Sequence, residues 1–339
     1  MKKTTRLISV LLALVISFSC CVQAFAAYTP EQMTSSLATW LPKKISVSEV
    51  GANKIDLYLD WTVFAMARSG YDTMTDDYAD YIGAAVKANF SKLTLADNER
   101  LALSAMAVGL NPRNVGGVDL IKAVTGSDFS AETKTVPVAF ALIVLDSRGY
   151  FAFSQRKELK NILLGAQRSD GGFNYMIKDT GGYTTASDVD STAIVLQALA
   201  PYKRNSAVSA AIDKALKYLQ SQILADGGYG SWGTGSAEST SQVLTALSAL
   251  KIDPLSADYV ASSGKNMLNS LSGYINADGG GRCWNGSSDI MTSYQMLYGL
   301  NAYNRYDNGN TSLYNMTDSA GGFSALFLAV RRALVIAFS

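Results

Sequence analysis

The chain has 339 residues, of which 48% are apolar, with 29 basic and 28 acidic residues and no histidine. The near-neutral balance lacks the basic stripe that nucleic acid requires, so no nucleic-acid partner is expected. The missing histidine excludes Ser-His-Asp and Cys-His nucleophile systems and every His-ligated metal, leaving carboxylates, Tyr or Lys for any proton transfer.

The first predicted element is an export signal. Lys2, Lys3 and Arg6 precede a short apolar run, Leu7 to Phe18, and Ala24-Phe25-Ala26 supplies an A-x-A cleavage site. Removing residues 1–26 lowers the 29 basic residues to 26 against 28 acidic ones, a net charge near −2. Cys20 and Cys21 leave with the signal, so Cys283 has no disulfide partner and the fold must be held by its core. A secreted or cell-surface location follows as an expectation.

Residues 27–318 then alternate between two kinds of helical segment. One-sided helices are predicted at Pro30–Ile45, Thr75–Phe90, Gly116–Thr125, Ser154–Gln167, Ser206–Gln222 and Asp258–Tyr274. In Ser206–Gln222, Val208, Ile212, Ala215, Leu216 and Leu219 share one face, while Asp213, Lys214 and Lys217 take the other. Helices apolar nearly all round are predicted at Asp56–Ser69, Asn98–Leu110, Thr135–Ser147, Asp190–Pro201, Glu238–Leu250 and Met291–Arg305. Outer then inner, six times, implies an all-α barrel, an α6/α6 toroid closed by its last pair against its first, because an open array would leave an apolar end. Ser191, Ser239 and Thr292 read as the N-caps of inner helices.

A motif recurs at a spacing of roughly fifty residues: Asp170-Gly171-Gly172-Phe173, Asp226-Gly227-Gly228-Tyr229 and Asp278-Gly279-Gly280-Gly281. Each copy follows an outer segment, where a Gly pair suits a chain reversal. The expectation is therefore a turn and packing device rather than a catalytic group. Residues 319–339 form an apolar tail broken by Arg331-Arg332, too short and too charged to read as a membrane span.

The parallel inner helices should bring their N-termini together at one mouth, with the long loops beside them. Asp188, Asp190, Glu238 and Asp289 fall at or just before inner-helix starts, and Trp61, Tyr183, Tyr229, Trp232 and Trp284 surround them, with Arg282 as a positive group. Aromatic walls with a few polar groups suit a small-molecule or glycan ligand. No metal site is expected, since the acidic residues show no EF-hand spacing.

Gln167-Arg168-Ser169-Asp170-Gly171-Gly172-Phe173 resembles the repeats of the prenyltransferase and squalene-cyclase superfamily. So does Asp188-Val189-Asp190-Ser191-Thr192-Ala193 with the Val195-Leu196-Gln197-Ala198-Leu199 that follows. The end, Ser312 to Asp318, is similar to that of secreted bacterial proteins carrying this repeat. The resemblance implies an α/α toroid. In class II terpene cyclases the middle Asp of a DxDD motif donates the proton, and Asp190 matches it, with Asp188 as its companion and Ser191 in place of the last Asp. The helical domain of cobalamin carriers shares the fold, which adds cobalamin to the candidate ligands, alongside isoprenoid-like molecules and cell-wall glycans. Protein prenyltransferases need a His-containing zinc site, which this chain cannot build. The expectation is a monomeric, non-catalytic exported binder that requires no cofactor. The alternatives are an enzyme using Asp190 as general acid, terpene-cyclase-like or carbohydrate-active, and a structural module of a cell-envelope protein.

Overall fold

The computed structural model describes residues 27–231, 233–319 and 322–338. The expected signal segment lies outside the described residues.

Thirteen helices are labelled in chain order. The odd-numbered ones are α1 Pro30–Trp40, α3 Thr75–Asn89, α5 Leu120–Thr125, α7 Phe153–Gly165, α9 Ser206–Ser221 and α11 Met267–Ser272. The even-numbered ones are α2 Leu57–Arg68, α4 Leu95–Ala107, α6 Thr135–Ser147, α8 Val189–Leu199, α10 Ala237–Leu250 and α12 Ile290–Asp307. A last helix, α13, spans Gly322–Ala337, and a lone turn, Val47–Val50, links α1 to α2. The even helices form the inner ring: each packs on the next, and α12 packs on α2, which closes the toroid. The odd helices form the sleeve. The expected all-α toroid is the fold.

Burial follows the composition of each layer. Every residue of α8 except Asp190 is buried, whereas α9 buries Val208, Ala211, Ile212, Ala215, Tyr218 and Leu219 along one stripe. Two outer helices are shorter than their patterns predicted. The third begins only at Leu120, and the sixth is a six-residue helix after a turn at Ala257–Tyr259. A small hairpin, β1 Tyr229–Ser231 with β2 Thr234–Ser236, precedes α10 and was not expected.

The Asp-Gly-Gly copies are three versions of one cradle. In each, the Asp Oδ1 accepts from the backbone N–H two residues on: Gly172 at 3.0 Å, Gly228 at 3.0 Å and Gly280 at 3.2 Å. A serine hydroxyl, of Ser187, Ser270 or Ser288, also donates to the same carboxylate. The residue after the Gly pair donates its N–H to a hydroxyl of the next inner helix: Phe173 to Thr192, Tyr229 to Thr240 and Gly281 to Ser293, at 2.8 to 2.9 Å. The first Gly of each pair is left-handed, with φ of 91°, 84° and 93°, which is why it is glycine. A Cβ on the second would lie 2.6 Å from Ser187 Cβ, 2.2 Å from Ser270 Oγ or 2.6 Å from Trp40 Cε2.

The third cradle fastens the ring. Trp40 of α1 donates its indole N–H to Asp278 Oδ2 at 2.9 Å, Ser36 donates to Gly279 O at 3.2 Å, and Tyr28 N donates to Ser272 Oγ at 2.7 Å. The first outer helix is thereby bound to the last repeat.

The far end of the lumen is plugged by residues 311–319. Tyr314 stacks on Phe64 at 5.4 Å, and Arg68 holds the Leu313 carbonyl at 2.9 Å and Asp318 at 2.8 Å. Arg148 donates to the carbonyls of Met316, Leu110 and Met106. The apolar tail is an amphipathic helix, α13, lying on this end. Arg332 donates to Asp146 O at 2.6 Å, and Arg331 to Arg148 O at 2.7 Å. No helix among the described residues is long and apolar enough to cross a membrane.

Candidate functional site

Asp188, Ser236 and Asp289 cap α8, α10 and α12, accepting from Ser191 N at 2.7 Å, Ser239 N at 3.1 Å and Thr292 N at 3.0 Å. The caps thus lie three residues before Ser191, Ser239 and Thr292, which correct to the third helical position. A cap accepts from that position, so polar residues at both places carry the same signal.

This settles Asp188. Its second oxygen accepts from Tyr175 N at 2.9 Å. Burial raises the pKa of its carboxyl, against the backbone N–H groups that favour the charge. Both oxygens are therefore spent on holding the loop and the helix, and the expected catalytic role for Asp188 is replaced by a capping one. Asp289 is a cap in the same way and does not line the cleft.

Two residues on from the caps, the inner helices turn toward the lumen. Asp190 of α8, Glu238 of α10 and Met291 of α12 occupy that position, and all three line one cleft of about 480 Å³. Ile194, Gln242 and Gln295, one helical turn deeper, form its inner wall. The loop after α11 supplies Tyr274, Arg282 and Trp284. The Arg282 guanidinium lies 5.1 Å above the Tyr274 ring and donates to Gly273 O at 2.7 Å. Glu238 is oriented by hydroxyls from Ser236, at 2.7 Å, and from Thr292. Trp284 is 94% exposed at the lip.

Four of the predicted residues, Asp190, Glu238, Arg282 and Trp284, are thus brought together. Trp61 is not at the rim. It packs deeper in the lumen against Phe64 at 5.4 Å, Phe140 at 5.6 Å and Tyr298 at 6.4 Å. Tyr229 is fully buried under the cradle that carries it, so its expected place at the mouth is corrected. Tyr183 is exposed on a loop outside the cleft lining. Trp232 lies outside the described residues.

Tyr274, Gln242 and Gln295 were not expected. The amides form a belt across the lumen. Gln197 Nε2 donates to Gln242 O at 3.1 Å and Gln242 Oε1 at 3.0 Å, and Gln242 donates to Gln295 Oε1 at 3.1 Å and to Tyr298 OH. The available signal was a Gln in each of three helices otherwise buried all round, which burial tolerates only when bonded. Glu99 of α4 was missed as well. It is 2% exposed, its Oε1 has no hydrogen-bond partner among the described residues, and burial pushes its carboxyl well above the ordinary range. Among the described residues no cluster of His, Cys, Asp and Glu could hold a metal ion.

Residues 173–302 match the family model of the squalene-hopene cyclase C-terminal domain, which supports the resemblance to the prenyltransferase and squalene-cyclase superfamily. No curated protein matches the chain in sequence. Among solved structures, an inactive variant of an alpha-1,6-mannanase of Salegentibacter sp., in complex with alpha-1,6-mannotetrose, superposes with a TM-score of 0.56 at 12% identity, over 82% of this chain and 100% of that one. Unsaturated glucuronyl hydrolase from Bacillus sp., responsible for the degradation of glycosaminoglycan, gives 0.54 at 14% identity, over 83% and 97%. ent-Copalyl diphosphate synthase from Streptomyces platensis gives 0.47 at 19% identity. It covers 73% of this chain, which spans 50% of that enzyme's length. At these identities the likeness is one of fold.

Proposed function

We propose that the protein is an exported toroid that binds a glycan at the inner-helix mouth without turning it over. The carrying observation is the character of the cleft. Its outer wall is a nearly bare indole and a Tyr274 ring under Arg282, and deeper in, the carboxylates of Asp190 and Glu238 and the amides of Gln242 and Gln295 stand beside Ile194 and Met291. A sugar ring has an apolar C–H face that lies on an aromatic plane and hydroxyls that donate to carboxylates and amides. Cyclising an isoprenoid, by contrast, needs a dry enclosure to shield a cation, and this open-lipped cleft does not offer one. Two solved toroids that superpose with a TM-score above 0.5, an alpha-1,6-mannanase in complex with alpha-1,6-mannotetrose and an unsaturated glucuronyl hydrolase responsible for the degradation of glycosaminoglycan, accord with this reading.

Titration with soluble cell-wall glycan fragments, followed by tryptophan fluorescence, tests it. Wild type should bind, and Trp284→Ala should weaken binding at least tenfold. Absence of binding by every glycan, or equal binding by both proteins, contradicts it, and cobalamin and polyprenyl alcohols serve as competing ligands in the same titration. Cleavage after Ala26 and recovery in the culture medium of a bacterial host test the export.

One observation favours a second reading. Asp190 and Glu238, on adjacent inner helices, face the same cleft and could serve as an acid and base pair for glycoside hydrolysis. Reducing-end release that Asp190→Asn and Glu238→Gln each abolish would establish it in place of simple binding.

A further inference from the structure

Helix α13 leaves an apolar face uncovered at the base of the toroid. Leu326, Val330, Leu334 and Phe338 recur every four residues, a spacing that keeps them on one side of a helix. Together with Phe327 they are between 55% and 79% exposed. The other side holds the helix to the ring, where Val335 is buried and Arg332 donates to Asp146 O. The uncovered face continues onto the body. The Arg331 guanidinium lies 6.0 Å from the Phe327 ring and 5.8 Å from the Phe151 ring, and Phe151 stands 6.3 Å from Phe153. Phe151 and Phe153 are exposed too. A contiguous apolar surface of this kind marks an interaction site.

Charge says what covers it. Residues 322–337 carry Arg331 and Arg332 and no acidic residue. A groove of about 630 Å³ runs beside the helix, lined by Ala333, Ile336 and Ala337 on one side and by Lys160, Lys203 and Arg204 on the other, with no carboxylate in its lining. Carbonyl contacts of Arg331, Arg332 and Lys203 fix these cations in place without neutralising them. The Asp146 carboxylate, beneath Arg332, is already paired with Arg156 at 2.7 Å. A second copy of the chain would bring the same cations against this face and be repelled. Protein interfaces favour Trp and Tyr at their centres over Leu and Val, whereas Leu and Phe on one face with Lys and Arg beside them is the pattern of a helix lying on a membrane.

We propose that α13 and the Phe151–Phe153 corner form a docking surface for an anionic phospholipid bilayer. The apolar stripe enters the boundary between headgroups and acyl chains, and the flanking cations meet the phosphates. The helix lies in the surface and does not cross it, in keeping with its length and its two arginines. Docked this way, the base faces lipid and the mouth at the opposite end stays open to the medium. The surface stands whether or not the mouth binds a glycan.

The test is flotation of residues 27–339, which hold every described element, with lipid vesicles. Wild type should float with vesicles of equal parts phosphatidylglycerol and phosphatidylcholine, much less with phosphatidylcholine alone, and less again as salt is raised. Leu334→Glu, at an exposed position, should weaken binding by about tenfold or more. Leu326→Ser with Phe327→Ser should do the same if Leu334→Glu fails to fold. Arg204→Glu should weaken binding by about fivefold, and Trp284→Ala should float as wild type does. No flotation with either vesicle, equal flotation with both, or equal flotation by wild type and the stripe variants overturns the proposal. Sedimentation as a dimer that the stripe variants dissolve, without affinity for vesicles, overturns it too and gives the face to a second copy.

Discussion

The two halves of this toroid are fastened differently. The last three repeats use one device three times: an Asp carboxylate, a Gly pair, a serine hydroxyl and a hydroxyl on the following inner helix. The first three carry no such motif, and their inner helices rely on ion pairs, each different. Asp60 of α2 accepts from Arg100 of α4 at 2.8 Å and from Tyr78 OH at 2.7 Å, Arg68 of α2 pairs with Asp318 of the plug, and Asp146 of α6 pairs with Arg156 of α7 across the boundary between the halves. A repeated local device leaves a repeated local sequence, and the family-model match at residues 173–302 falls on that half. An ion pair between residues 40 or 250 positions apart leaves none.

The sharpest way to break this comparison is to attack a cradle. In Gly227→Ala the new Cβ would sit 2.5 Å from the backbone of Lys265 and Asn266, at a φ of 84°. Strain and overpacking together should cost about 4 kcal/mol in urea denaturation. A loss under 1 kcal/mol would mean that the cradle is not what holds this half. The counterpart among the ion pairs is Arg156→Met, which leaves Asp146 of the third inner helix buried without its guanidinium partner. It should cost about 3 kcal/mol by the same measurement.

A pH scan probes the first half, where Asp60 lies. Burial pushes the Asp60 carboxyl up to about 6, in spite of Arg100 and Tyr78, which favour its charge. Between about pH 4 and 6 the folded chain keeps a proton that the unfolded chain has given up, so this group's contribution to stability falls as pH rises through that window. The full effect is about 3 kcal/mol. In Asp60→Asn that part of the slope should vanish, and an unchanged slope would refute the assignment. The smallest expected effect is at the seam. Trp40→Phe keeps the packing but removes the indole N–H from Asp278, which should cost about 1 kcal/mol and hasten proteolysis near residue 28.

The same contrast explains what the sequence disclosed. Inner and outer helices were legible because burial on all sides and burial on one side give different periodicities. The ring followed from their alternation. The expected caps Ser191, Ser239 and Thr292 lie three residues inside the true ones because Asp188, Ser236 and Asp289 and their third-position partners are all polar. At the mouth, Asp190 and Glu238 were found because they occupy the same place relative to their caps. Tyr229 was misplaced because the aromatic after a Gly pair packs inward, a direction that composition does not carry. Gln242 and Gln295 went unnoticed because a buried amide makes sense only when its partner on the next helix is known.

The central claim is that the Asp-Gly-Gly carboxylates hold the ring while the cleft bearing Trp284 binds. Calorimetric melting of Asp226→Ala and Trp284→Ala, each with and without a saturating glycan fragment, tests it most directly. Asp226→Ala should melt lower than wild type yet be raised by the glycan as wild type is. Trp284→Ala should melt like wild type and gain nothing from the glycan. An Asp226→Ala that melts like wild type and no longer responds to the glycan would contradict the account.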